Sequence, residues 1–305
     1  MTTTPSTTPV LRLALVGLGP QGQEHLQAAA LTQRVRFVAG VDRSAATRAG
    51  VADAYPALAE GLFDSLEALR VARAGGLAID ALVLALPHHV YPHEWAAILA
   101  FGVPLLKEKP LARNQTEARR FLEQAQQAGC PVLTAIQRRH HPSYVHLHQQ
   151  LRARGEPVLE AHAHMHLGFG LAAAGVPTDA EPTWRQDAVL SGGGALLDSG
   201  YHMVDLLHFV VGPFELVSAT MLHQGRPMDG EALEDRVWLT GRSDGTWVQL
   251  DSWLHGEAEP GAVPGRFRKS EGLLLRTPRH AWHADRTGVW CDGECLFRTE
   301  RQWAR

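Results

Sequence analysis

The chain has 305 residues, 45% hydrophobic and 20% charged, with a formal net charge of -3 when histidine is counted neutral. This is the composition of a soluble globular protein long enough for two domains. No basic block marks a dedicated nucleic-acid binder, and no apolar run approaches the roughly 18 residues of a membrane span.

Residues 1–9 are rich in Thr and Pro and lack an apolar core, so a flexible tail is expected there and not a signal peptide. A short apolar strand, Leu11–Val16, runs directly into Gly17-Leu18-Gly19-Pro20-Gln21-Gly22. An Ala-rich helix is expected from about Gln21 to Leu31, then a second strand, Arg36–Val41, ending at Asp42. A G-x-G-x-x-G sequence between strand and helix, with an acid ending the next strand, is the dinucleotide-binding pattern. Gly17 permits the tight turn, Gly19 the approach of a pyrophosphate, and Gly22 close helix–strand packing. Pro20 and Gln21 open the helix whose N–H groups face that phosphate. Asp42 is placed to accept from the adenosine ribose hydroxyls, which favours NAD. Arg43 beside it keeps NADP open, because a guanidinium can hold a 2′-phosphate.

The alternation continues with a capped helical turn at Ser65–Arg70, a buried strand at Asp80–Leu86 and a helix from Pro92 to Phe101. Val103–Leu106 is the next strand, leading into Lys107-Glu108-Lys109-Pro110, then a helix from Asn114 to Ala128 and a sixth strand at Pro131–Ile136. Such alternation predicts a doubly wound parallel sheet, whose ligands bind at the carboxyl ends of the strands. Leu86, Pro87, His88, Glu108, Lys109 and Gln137 fall at those ends and are assigned to the cofactor, with Lys109 near the nicotinamide.

A domain boundary is expected near residues 136–142, giving a nucleotide-binding domain over 1–137 and an α/β substrate domain over 138–305. The second domain should contain strands at 158–167 and near 214–222, 235–241 and 246–254, the last two joined through Ser243-Asp244-Gly245. In the first of these, Glu160, His162, His164 and His166 alternate with apolar residues, which puts them on one face of the sheet. Three uses of that stripe stay open: contact with substrate, a solvated or subunit-contact face, and a shared metal. The expectation is that no metal is bound. Cys130, Cys291 and Cys295 read as reduced thiols of a cytoplasmic protein, since the C-x3-C pair has no second pair to complete a zinc site.

The richest segment is Gly192-Gly193-Gly194-Ala195-Leu196-Leu197-Asp198-Ser199-Gly200-Tyr201-His202-Met203-Val204-Asp205. Asp198, His202 and Asp205 follow at i, i+4 and i+7, one stripe of a helix. Buried, such groups are costly unless they are hydrogen-bonded or do chemistry.

These signals, taken with Gln137-Arg138-Arg139, Pro142, Tyr144 and Trp184-Arg185, resemble the Gfo/Idh/MocA family of nicotinamide-dependent oxidoreductases. The resemblance covers Leu11 to about Val217 and thins over the last 80 residues. It implies an amino-terminal Rossmann domain and a carboxy-terminal α/β domain with an open, largely antiparallel sheet. It also implies self-association as a dimer or tetramer. By the same resemblance Lys109, Asp198 and His202 are the catalytic group. Arg138, His164, His166 and Trp184 would join them around a sugar, cyclitol or related polyol, and the strand ending in His164 and His166 is similar to the inositol dehydrogenase branch. The chain departs from the family pattern at Tyr91, where a histidine is common. It is also short, which predicts trimmed final strands in the second domain. Two other activities stay open: a glycosidase or epimerase using transient oxidation, and an inactive NAD-binding sensor or corepressor.

Overall fold

The computed structural model describes residues 9–167, 184–228, 232–254 and 270–300. Most of the amino-terminal tail and Gly168 lie outside them. The chain divides into two compact units, Met1–Ala135 and Ile136–Arg305.

The first unit is a six-stranded parallel sheet: β1 Leu11–Val16, β2 Val35–Val41, β3 Leu62–Phe63, β4 Ala81–Leu84, β5 Leu105–Glu108 and β6 Val132–Ala135, in the order β3-β2-β1-β4-β5-β6. The helices are α1 Pro20–Ala30, α2 Ala45–Ala54, α3 Leu66–Ala74, α4 Tyr91–Leu99 and α5 Gln115–Gln127. Strands buried on both faces read as apolar runs, which is why LRLALV and DALVLAL were legible in the sequence. One core holds Leu69, Leu82, Leu84, Trp95, Leu105 and Phe121; the other holds Leu15, Leu18, Leu26, Val51 and Val83. Ser44, Ser65 and Asn114 cap α2, α3 and α5 by accepting from the backbone N–H three residues on. The sequence pattern did not reveal α2 or β3. Helix α2 buries only Val51 and so has almost no apolar stripe, and β3 is two residues long.

The second unit opens with α6 Pro142–Arg154 and β7 Glu160–His166, followed by α7 Ala188–Ser191, a π-helical turn Leu196–Gly200 and α8 Tyr201–Val211. Eight more strands follow: β8 Glu215–His223, β9 Arg226–Pro227, β10 Arg236–Ser243, β11 Thr246–Trp253, β12 Ser270–Arg276, β13 Ala281–Asp285, β14 Gly288–Cys291 and β15 Glu294–Arg298. They form a nine-stranded sheet in the order β15-β14-β13-β12-β7-β11-β10-β8-β9. Among the described residues only the β7–β11 pair of this sheet is parallel. The β10–β11 hairpin turns at Asp244 (φ 40°) and Gly245 (φ 90°), the Asp-Gly pair that a two-residue turn with positive φ requires. Helices α6 and α8 cover one face, contributing Tyr144, Leu147, Met203, Leu206 and Leu207 to a core with Ala161, Ala163 and Met165 of β7. Strands β12–β15 went unread because β12, SEGLLLR, shows no regular polar–apolar alternation and the rest are short.

Candidate active site

The carboxyl ends of β1, β4 and β5 lie on one edge of the parallel sheet, and the loops leaving them carry the cofactor candidates. Gly17 adopts φ +96°, and a Cβ there would stand 2.3 Å from the Ala85 carbonyl oxygen. A Cβ at Gly22 would stand 2.1 Å from the Gly17 carbonyl oxygen. Only glycine fits either position. Gly19 differs: a Cβ there would meet nothing within 4 Å, so open space lies above the backbone at the start of α1. A phosphate approaching a helix N-terminus needs that space. Asp42 accepts from the Leu18 N–H at 3.0 Å and from the Ser44 N–H at 2.9 Å, one bond on each oxygen. Arg48, which the sequence reading did not single out, donates to the Asp42 carbonyl at 2.6 Å. Arg43 is exposed.

At the end of β5, the Glu108 carboxylate meets His25 of α1 at 2.8 Å and accepts the Lys109 N–H at 3.1 Å. Glu108 is therefore engaged with the α1 side of the sheet. Pro87 precedes a 3-10 turn, His88–Val90, and the Leu86 N–H donates to the Tyr91 hydroxyl at 3.1 Å. Gln137 is exposed at the head of a second 3-10 turn, Arg138–His140, and belongs to the second unit.

In the second unit the glycine run has a specific purpose. A Cβ at Gly194 would stand 2.0 Å from the Glu234 carbonyl oxygen. Glu234, 6% exposed, accepts from the Gly194 N–H at 2.9 Å and the Leu196 N–H at 3.0 Å, and its carbonyl accepts from Ala195 at 2.8 Å. A carboxylate thus caps the segment that carries Asp198 and His202, where helix N–H groups and dipole favour negative charge. Nothing in the linear sequence tied Glu234 to a helix 40 residues earlier. Glu234→Ala is expected to cost about 2–3 kcal/mol, from charge-assisted hydrogen bonds lost in a buried setting; urea unfolding measures it.

The helix is not uniform. Leu196–Gly200 is π-helical, and the regular α8 begins only at Tyr201, so the expected continuous i, i+4, i+7 stripe is broken between Asp198 and His202. Close packing accompanies the wide turn: a Cβ at Gly200 would lie 3.2 Å from Ser252 Cβ, and Ser199 and Ser252 both donate to the Ala195 carbonyl. Inserted π turns recur at functional sites. Asp198 is half-buried and His202 is 6% exposed. Asp205 is held by Arg139 Nε at 2.8 Å and by Arg139 Nη2. That pair raises the Arg139 guanidinium above its ordinary value, chiefly by the hydrogen bond.

Ala161, Ala163 and Met165 of β7 face the core under α6 and α8, so His162, His164 and His166 stand on the opposite face of the sheet. There the Asp251 carboxylate is gripped on one oxygen by His162 Nε2 and on the other by His166 Nε2. The His166 ring stacks on Trp253 at 4.2 Å, with Ser270 Oγ 3.3 Å from its Nδ1. Period-two alternation thus sets His164 and His166 on the face of the sheet away from α6 and α8. Arg138 donates to the nearly buried Glu271 at 2.9 Å and is committed to that ion pair. Trp184 opens a 3-10 turn with the Arg185 guanidinium 4.4 Å over its ring.

His164 lies between the other two rings, and burial, then the neighbouring His166, push its pKa from 6.5 down to about 4. An unfolded chain takes up this proton first as pH falls. Stability carried by neutral His164 is present above pH 6.5 and lost as pH falls towards 4. His164→Asn is expected to flatten the fall of melting temperature across that window.

Cys291 faces the core, whereas Cys295 is exposed opposite Trp290 on the next strand, and both thiols are free. His280, Cys291 and Asp292 bring ligand-type atoms within 4.8 Å of one another. The Arg154 guanidinium reaches His280 Nε2 at 2.9 Å and can only donate, which leaves Nδ1–H to bond Asp292 at 2.7 Å. That arrangement is a hydrogen-bond chain.

Residues 11–136 match the group described as "Oxidoreductase family, NAD-binding Rossmann fold", and residues 153–259 match the "GFO/IDH/MocA C-terminal domain". The chain belongs to the GFO/IDH/MocA family. Rhizopine catabolism protein MocA of Rhizobium meliloti is 29% identical over 66% of this chain and 57% of its own length. Inositol 2-dehydrogenase of Leifsonia xyli subsp. xyli is 35% identical over 39% of this chain and 33% of its own. The fold is similar to levoglucosan dehydrogenase in complex with NADH and levoglucosan, with a TM-score of 0.76, 18% identity and coverage of 96% of this chain and 80% of that one. The chain spans about half the length of the first curated relatives it matches. Residues 11–136 thus form the NAD-binding Rossmann domain of that family. No helix among the described residues is long and apolar enough to cross a membrane.

Proposed function

We propose that the chain is an NAD(P)-dependent dehydrogenase or reductase acting on a secondary alcohol or the matching ketone of a sugar, cyclitol or related polyol. The observation that carries this reading is the shared sheet edge, where Lys109 at the end of β5 stands in line with the Gly17–Gly22 cradle at the end of β1. The names of the relatives, an inositol 2-dehydrogenase and a levoglucosan dehydrogenase, support the substrate class.

The cradle fits a dinucleotide, because its two crowded glycines leave Gly19 open. Gly17, Gly19 and Gly22, with the first N–H groups of α1, would hold the pyrophosphate. Asp42 retains lone pairs for the ribose, since each carboxylate oxygen accepts more than one bond. Bound there, NAD supplies the hydride acceptor or donor. Oxidation removes a hydride from the carbinol carbon and a proton from its hydroxyl, leaving the ketone. His202 takes that proton as general base and returns it in reduction. Lys109 stabilises negative charge on the same oxygen, and Asp198 orients it by hydrogen bonding. The two units supply a binding site for the dinucleotide and one for the polyol, and the protein works as a cytoplasmic homo-oligomer, a dimer or tetramer.

Pure protein tested against a panel of inositols, aldoses, ketoses and sugar acids, with NADH absorbance as readout, is expected to give turnover with at least one polyol. Tight NAD binding with no turnover on any compound would overturn the reading in favour of a sensor. Asp42→Ala is expected to weaken NAD binding by roughly tenfold or more and to narrow discrimination against NADP, read by calorimetry. Tighter binding of NADP than NAD by the unaltered protein would shift the deciding role to Arg43.

A further inference from the structure

Lys107 is one of the most deeply buried side chains of the first unit, 1% exposed, and no step of the chemistry above uses it. Its ammonium donates to the Pro110 carbonyl at 2.8 Å and to the Glu108 carbonyl at 3.1 Å. Those two carbonyls flank Lys109. The ammonium also sits 3.6 Å from the centroid of the Tyr91 ring, a cation–π contact. Tyr91 is itself fixed, its hydroxyl donating to the Leu84 carbonyl at 3.0 Å and accepting from the Leu86 N–H. On the other side, the Lys109 N–H is taken by Glu108, and Glu108 by His25. The backbone around Lys109 is thus tied down from both faces of the sheet.

A buried ammonium is an expensive way to satisfy two carbonyls, because a charge loses its hydration on leaving water. Apolar residues of similar volume at such positions are often neutral or stabilising. Neither stability nor the reaction accounts for Lys107; the two bonds across Lys109 do.

We propose that Lys107 is a positioning residue which, with Tyr91, sets the placement of the Lys109 ammonium. This rests on the role given to Lys109 above. The groups that face Lys107 are Tyr91 from α4, Glu108 from its own strand, with His25 of α1 behind it, and Glu117 from α5, paired with Arg113. Burial outweighs the two carboxylates and lowers the pKa of Lys107 to about 7. Protonated Lys107 donates strongly to both carbonyls, and the tie weakens as pH rises past that point.

The first test needs no substrate. Trace acetic anhydride labels amines, and mass spectrometry of the Lys109 peptide gives its relative reactivity between pH 6 and 9. Lys107→Met is expected to change Lys109 reactivity at least threefold and to remove an inflection near pH 7, while the melting temperature holds or rises. Lys107→Arg, which keeps a cation and its donors, is expected to return reactivity to within twofold of the unaltered protein. Once a panel compound turns over, Lys107→Met is expected to lower kcat at least tenfold with KM and NAD affinity within twofold. Unchanged Lys109 labelling in Lys107→Met overturns the proposal; so does a melting temperature lowered by several degrees with kcat intact. Should the methionine variant not fold, Lys107→Gln replaces it with the same expectations for labelling and kcat. Lys109→Ala run alongside separates the two readings: if it keeps full turnover, the role of Lys109 falls, whereas the labelling result still judges the Lys107 tie.

Discussion

His202→Ala is expected to lower kcat by about 10²–10⁴-fold, the span of general acid–base catalysis, while the dissociation constant for NAD barely moves. The residue is 6% exposed in α8, two residues past the π-helical turn, and belongs to the second unit, whereas the glycine cradle belongs to the first. Steady-state kinetics on the best panel compound, with NAD binding by calorimetry, measures both quantities. A conservative probe is His202→Asn, which keeps an amide for hydrogen bonding but cannot accept a proton at working pH. If it matches the alanine variant, proton transfer is the lost function. Near-normal turnover in either variant would remove His202 from the mechanism.

Lys109→Ala is expected to be at least as damaging to kcat, because the positive charge acts where negative charge develops on oxygen and so matters most in the transition state. Removing one preorganised donor to such an oxygen typically costs about 10²–10³-fold. A fall in kcat and kcat/KM by the same factor marks an interaction made only in the transition state; a rise in KM alone would mark simple substrate binding. Lys109→Arg keeps the charge but changes its geometry, and is expected to recover only part of the loss. Asp198→Asn, which keeps shape and loses charge, is expected to lower kcat more than it weakens NAD binding.

The linear sequence by itself determined the first unit apart from α2 and β3. Leu11–Val16, the glycine turn and Asp42 form a continuous local pattern, and a strand buried on both faces must be apolar, so strand, turn and helix were readable in order. Lys109 was placed for the same reason, since the end of a parallel strand is fixed by the strand before it. The stripe Asp198, His202 and Asp205 was visible as spacing, but its interruption and the partner of Asp205 are things that spacing cannot encode. A π turn enters where Gly200 packs on Ser252, and Arg139, 66 residues earlier, takes Asp205. The alternation of His162, His164 and His166 was likewise correct as a pattern. Period two says that residues share a face, never which face meets the helices, and the packing of α6 and α8 on Ala161, Ala163 and Met165 decided that. Glu234 and Lys107 were silent in the sequence. A lone carboxylate 40 residues from the N–H groups it caps, and a lysine two residues from a more conspicuous one, gain meaning only when the chain folds back and backbone groups without ladder partners need an acceptor or a donor.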